Sequence, residues 1–249
     1  MPKTLVTGAA GGVAGLLLPG LRDDFDLRLT DRTPGPYVVS GDLRDAAFAR
    51  RVCAGAETVV HLAADPDPDQ EWPELRGPNA DALVNVLDAA VAAGVSRVVI
   101  ASSLHAVGGH VDAGAAEVGE DATPYPCCVY GAAKVFAESM GRVYADRFGL
   151  RVVCLRLGGV RAEPAATSWL SGWLSGPDLV RLVIGALTAD VRYGVYHGVS
   201  ANSARLYRTD LARAELGYEP LDDSARFAGL IPDDLPDDLP AGTRRAHLT

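Results

Sequence analysis

The stretch that decides the fold is KTLVTGAAGGVAG, residues 3–15. Lys3–Thr7 reads as a short buried strand. Gly8, Gly11 and Gly15 follow at once, and Val13–Leu21 reads as a helix. Strand, glycine turn and helix in that order make a cradle for phosphate. Glycine lets the backbone come close to a pyrophosphate, and the helix N-terminus supplies free N–H groups and positive potential. A glycine-rich turn alone is a weak signal; its place between a strand and a helix gives it weight. Ala14 stands where the third glycine of a G-x-x-G-x-x-G spacing falls, and alanine is tolerated at that close-packing position.

Beyond that turn the pattern repeats. Asp26–Thr30, Tyr37–Ser40, Thr58–Leu62, Arg97–Ala101 and Arg151–Leu157 read as further strands, with Tyr193–His197 a candidate for one more. Helical patterns such as Asn79–Ala93 fall between them. Strand–helix alternation with continuous apolar strands predicts an α/β fold, a doubly wound parallel sheet of the Rossmann type. Residues 1–160 form the expected nucleotide-binding core, including the helix around Tyr130. Residues 161–230 form a small substrate-binding region, with loop and short helix over Glu163–Pro177 and a helix over Pro177–Ala189. Residues 231–249 are acidic and proline-rich, and an extended or disordered tail is expected.

Asp31 ends the second strand, about twenty residues past the glycine turn. There a carboxylate grips the ribose hydroxyls of NAD and repels the 2′-phosphate of NADP. NAD is therefore the expected cofactor, although the neighbouring Arg32 is a type of residue that accepts that phosphate. Asp42 is expected near the adenine. His61–Ala64 ends the fourth strand by the cofactor phosphates, with His61 either packed or functional. The expected cofactor contacts are Gly8, Gly11, Gly12, Val13, Asp31, Arg32, Asp42, Leu43, Leu62, Ala63, Ala64 and Asn79, together with Tyr130 and Lys134.

Composition narrows the partners. A formal net charge of −9 over 249 residues argues against nucleic acid. No run of 18 apolar residues occurs, so no membrane span is expected. The N-terminus runs straight into a strand, so no secretory leader is expected and a cytoplasmic location is anticipated. Cys53, Cys127, Cys128 and Cys154 show no metal-ligand spacing along the chain, so reduced thiols and no metal are expected. The adjacent Cys127 and Cys128 read as small packing residues rather than a redox pair. The expected partner is a small sugar-like molecule, bound by a homo-oligomer.

Tyr130 and Lys134 stand four apart in VYGAAKVFAES. On a helix this spacing puts both on one face. A neighbouring cation favours the phenolate, which can then take a proton from an alcohol while a hydride leaves the same carbon. Ser103 follows the fifth strand at the carboxyl edge of the sheet, where its hydroxyl can bond the reacting oxygen. Its other reading is a turn cap.

TGAAG, Asp31, ASS at 101–103 and YGAAK at 130–134 together resemble an extended short-chain dehydrogenase/reductase of the NAD-dependent epimerase/dehydratase family. ASSLHAVG, YGAAKVFAE, LRLGGVRAEP, LSGWLSGPDLVRLV and HGVSAN resemble the bacterial uronate dehydrogenases within it. The resemblance implies oxidation of a cyclic hexuronate to a lactone at its anomeric carbon. Tyr130 would be the base, Lys134 would hold the nicotinamide ribose and lower the tyrosine pKa, and Ser103 would orient the hydroxyl.

It also implies substrate contacts at Ser103, Leu104, His105, Gly159 and Ser168. Three of these depart from the pattern: Leu104 replaces Asn, Gly159 replaces Ser, and Ser168 replaces the Arg that clamps the carboxylate. His105 matches the family's histidine, and either lines the pocket or packs. Arg161 or Arg76 is left as a substitute cation. The departures predict poor handling of glucuronate and galacturonate and a preference for a less polar ligand. Two other functions compete: a sugar or nucleotide-sugar epimerase/dehydratase that keeps its NAD bound, and an NAD-sensing binding protein without turnover.

Overall fold

The computed structural model describes residues 1–231. Along the chain run β1 (Lys3–Thr7), α1 (Gly12–Leu21), β2 (Asp26–Asp31), β3 (Val38–Ser40), α2 (Ala46–Cys53), β4 (Thr58–His61), α3 (Trp72–Leu75), α4 (Ala82–Ala93) and β5 (Arg97–Ser103). There follow α5 (Gly108–Asp112), α6 (Val129–Phe148), β6 (Arg151–Leu157), β7 (Gly159–Val160), β8 (Trp173–Leu174), α7 (Gly176–Thr188), β9 (Tyr193–Gly198) and α8 (Asp210–Leu216).

Seven strands pair in the order β3-β2-β1-β4-β5-β6-β9. All their pairings are parallel. The apolar runs form strands because side chains alternate into two cores, so both faces need hydrophobic residues. Leu5, Val59, Val98, Ile100 and Val152 enter one core with residues of α2, α4 and α6. Val6, Val60, Val99, Val153 and Leu155 enter the other with residues of α1, α7 and α8. Helices cover both faces, which is the doubly wound arrangement expected. The strand order reverses between β1 and β4, and ligands in such sheets bind in the crevice beyond the carboxyl ends at that point.

Local departures have local causes. The helix expected from Asn79 becomes regular only at Ala82, because Arg76–Asp81 forms a π-helical turn around Pro78, which has no N–H to donate. The stretch expected as loop and short helix holds a 3₁₀ turn at Thr167–Leu170 and also β8, which pairs with β7. Within the region 161–230, α7 packs on α1 and β9 extends the sheet beyond β6. The acidic tail, apart from residue 231, lies outside the described residues. Among those described, no helix is long and apolar enough to cross a membrane.

Candidate active site

The glycine turn is built against the end of β4. Gly8 has φ +70°, and a Cβ there would lie 2.7 Å from the Ala63 nitrogen and 2.8 Å from the Leu62 carbonyl carbon. Any larger residue would be both strained and crowded. A Cβ on Gly12 would meet no atom within 4 Å, so this part of the turn is open. Asp31 is fixed opposite: it accepts the Ala10 N–H at 3.0 Å and the Thr33 N–H at 2.8 Å.

These residues open onto one cleft of about 1130 Å³. Small-molecule sites usually span roughly 300–1,000 Å³, so there is room for an extended cofactor and a second ligand. Gly8, Gly11, Gly12, Val13, Asp31, Arg32, Asp42, Leu43, Leu62, Ala63 and Ala64 all line it. An open glycine turn beside a fixed strand-end carboxylate suits a dinucleotide with a free ribose diol, which is the chemistry of NAD. Asn79 is an exception. It is buried away from the wall, where it accepts the Asp65 N–H at 2.7 Å and donates to the Asp65 carbonyl at 3.0 Å, shaping the loop after β4. Asp42 lines the cleft already gripped by Arg44 at 2.6 Å, a partner the sequence reading missed. His61 is a packed strand residue. It bonds Thr7 at 2.9 Å, and burial holds its imidazole down at about 3, hence neutral.

Ser103, Tyr130 and Lys134 line the other end of the same cleft. Strand β5 ends at Ser103 and α6 carries the other two. Ser103 serves both suggested roles. Its Oγ accepts the His105 N–H at 3.2 Å, capping a 3₁₀ turn over Leu104–Ala106, and its hydroxyl also favours the Tyr130 phenolate. Lys134 Nζ lies 5.3 Å from the Tyr130 ring centroid and donates to the Ala101 carbonyl at 2.9 Å. Burial dominates both groups: it pushes Tyr130 up to about 12 and holds Lys134 down at about 8. The expected lowering of Tyr130 by Lys134 is not what the surroundings give. Ser103 is the group that pulls the phenol down, against burial and the charges of Cys128 and Asp65.

The substrate end corrects two expectations. Leu104 is buried in a satellite core with Val107, Val118, Val199 and Tyr207 and does not line the cleft, because the 3₁₀ turn capped by Ser103 directs it away. Ser168 is also off the wall, with a buried hydroxyl that has no hydrogen-bond partner among the described residues. Gly159 does line the cleft, and the Trp169 ring comes within 2.1 Å of where its Cβ would stand. A serine there would collide with Trp169.

His105 lines the cleft with its ring edge-on to Tyr130 at 5.2 Å. Arg161 lines it too, stacked 5.1 Å over Trp169 and forming no ion pair among the described residues. Arg76 instead pairs with Asp81 at 3.5 Å and is off the wall. Trp169 and Glu163 also contribute to the wall and were missed; an aromatic in the Ser- and Gly-rich segment after β6 was the available signal.

The start of α6 holds a further surprise. Cys128 is its N-cap and accepts the Gly131 N–H at 3.3 Å. A hydrogen bond from Cys127, together with His105, holds the Cys128 thiol below the usual range, while Cys127 is pushed up.

Comparison with known proteins agrees with this geometry. Residues 4–167 match the model of the NAD dependent epimerase/dehydratase family. An NAD-dependent glucose-6-phosphate dehydrogenase of Haloferax volcanii is 34% identical, over 90% of this chain and 94% of its own. A uronate dehydrogenase of Pseudomonas putida is 31% identical, over 92% of this chain and 87% of its own. Among solved structures, a tyrosine-to-alanine mutant of uronate dehydrogenase from Agrobacterium tumefaciens, complexed with NAD, superposes with a TM-score of 0.87 at 32% identity, covering 95% of this chain and 91% of that one. With a matching family model over most of its length, and the glycine turn, strand-end carboxylate and serine–tyrosine–lysine group on one cleft, the chain belongs to the NAD-dependent epimerase/dehydratase family.

Proposed function

We propose that this protein is an NAD-dependent dehydrogenase that oxidises a hydroxyl group, the anomeric one, of an anionic sugar. The observation that carries the reading is the shared cleft: Ser103, Tyr130 and Lys134 line one end, and Gly8 and Asp31 the other. NAD⁺, when bound, accepts the hydride.

The chain's residues do the rest. The glycine turn and the N-terminus of α1 would hold the pyrophosphate, and Asp31 would take the ribose diol. Ser103 orients the reacting hydroxyl by hydrogen bonding, and Tyr130 Oη receives its proton. Lys134 adds positive charge in a buried place where the phenolate would otherwise stand unsupported.

The substrate class is read from Arg161. Leu104 does not line the cleft, so the apolar wall that argued for a less polar ligand has no support. Arg161 is a cation on the cleft wall with no acidic partner among the described residues, and the Trp169 ring beneath it limits its freedom. A guanidinium in that position suits a carboxylate or phosphate on the sugar. The relatives are named for both kinds of sugar, anionic in the glucose-6-phosphate and uronate dehydrogenases and neutral in an L-arabinose 1-dehydrogenase of Haloferax volcanii, so the choice of an anionic substrate rests on Arg161.

Steady-state kinetics on glucuronate, galacturonate, glucose 6-phosphate and the neutral aldoses, for wild type and Arg161→Ala, test it. An anionic sugar should exceed its neutral counterpart at least ten-fold in kcat/KM, and Arg161→Ala should remove most of that preference. A charge-assisted contact is worth about 1.5–3 kcal/mol, roughly ten- to a hundred-fold. Preference for a neutral sugar would overturn the substrate class.

A further inference from the structure

Cys127 and Cys128 have no metal-ligand spacing by themselves, but folding brings a third donor to them. The Nδ1 atom of His105 lies 3.2 Å from the sulfur of Cys127 and 3.2 Å from that of Cys128. The two sulfurs are 4.0 Å apart. We infer that His105, Cys127 and Cys128 form a binding site for one thiophilic divalent metal ion of the zinc type.

The distances fit the chemistry. With Zn–S near 2.3 Å and Zn–N near 2.0–2.1 Å, a tetrahedral ion sets its ligand atoms about 3.8 Å apart for S···S and about 3.6 Å for S···N. The observed triangle is within about 0.4 Å of that on every side, so small side-chain rotations complete it. Two thiolates and one imidazole suit a borderline-soft cation such as zinc and do not suit magnesium or calcium, which prefer oxygen. Three protein ligands leave a fourth position for water.

The backbone fixes this triangle. The Cys127 N–H donates to the His105 carbonyl at 3.2 Å, tying the ligand segments together. Gly131 allows the first turn of α6 to lie against that same carbonyl; a Cβ there would come within 2.4 Å of it. The Gly131 N–H bonds the Cys128 sulfur, the outer-shell support that metal-bound thiolates commonly have. Both cysteines are half-buried, so an ion can reach them, whereas Cys53 and Cys154 are fully buried elsewhere.

Titration of the full-length protein with Co²⁺, thiols kept reduced, reads the site directly. A tetrahedral thiolate site gives sulfur-to-cobalt charge-transfer bands in the near ultraviolet and intense visible d–d bands. The expected result is one Co²⁺ per chain with both signatures, displaced by Zn²⁺. Cys127→Ser, which leaves the Cys128 cap of α6 in place, should weaken binding at least ten-fold. The Cys127→Ser/Cys128→Ser double variant should lose the charge-transfer bands while still binding NAD, and Cys53→Ser should match wild type. Absence of the charge-transfer bands in wild type, or equal Co²⁺ affinity in wild type and Cys127→Ser, would overturn the inference.

Discussion

Glu138 on α6 and Arg156 on β6 form a buried two-pronged ion pair: Nε and Nη2 of Arg156 donate to the two carboxylate oxygens of Glu138 at 2.9 Å each. Ser102 donates to the same carboxylate at 2.6 Å. The network ties α6, which carries Tyr130 and Lys134, to β5, which ends at Ser103. In the proposed reaction Glu138 and Arg156 are positioning residues that act through Ser103, Tyr130 and Lys134. Glu138→Gln leaves a buried guanidinium without its counter-charge, which typically costs about 3–5 kcal/mol. Chemical denaturation should show a loss of that size, and turnover of the folded fraction should show a lower kcat with little change in the NAD dissociation constant. A variant as stable and as active as wild type would refute this role.

Tyr130→Phe removes only the phenolic oxygen. Turnover should fall by about 10²-fold or more, with NAD affinity almost unchanged. Because burial pushes the wild-type phenol up to about 12, the phenolate fraction grows with pH across the neutral range. The oxidation rate should therefore rise from about pH 6 to about pH 9. A rate that falls over this interval would remove Tyr130 as the base.

Lys134 is costly to the cofactor-free fold. Its folded pKa of about 8 lies below the ordinary 10.5, so the unfolded chain binds the proton more tightly. Below pH 8 both states are protonated and the cost is fully present; as pH rises from about 8 to about 10.5 the folded lysine is neutral and the cost is relieved. Stability should rise with pH through that window. Lys134→Met should raise the Tm at pH 7 by several degrees and abolish turnover, a stability–function trade. A Tm lower than wild type would show that the bond to the Ala101 carbonyl outweighs the buried charge.

Asp31→Ala should weaken NAD and shift preference toward NADP. The carboxylate both binds the ribose diol and repels a 2′-phosphate, and Arg32 beside it lines the same cleft. Isothermal titration with both cofactors measures the change. Wild-type preference for NADP would assign the specificity to Arg32.

The sheet was legible because its strands need apolar residues on both faces, and the glycine turn because Gly8 must be glycine. The residues read at the cofactor end, Asn79 excepted, line one cleft because turn, carboxylate and strand ends are local features set by chain order. The substrate end was less so. Leu104 follows Ser103 directly, yet the 3₁₀ turn points the two in different directions, and no local pattern reveals that. Trp169 and Arg161 meet through a cation–ring contact inside an irregular segment with no periodicity to read. The group formed by His105, Cys127 and Cys128 spans more than twenty residues of chain, α5 among them, and exists only after α6 docks.

The most direct test of the dehydrogenase reading is the count of NADH released per active site when the purified protein meets excess NAD⁺ and an anionic sugar. A dehydrogenase releases many equivalents, matched one for one by oxidised sugar, and Tyr130→Phe releases almost none. Sugar interconversion with no net NADH would instead identify an epimerase that retains its cofactor. NAD binding without any change in sugar would identify a sensing protein, and either outcome would overturn the dehydrogenase reading.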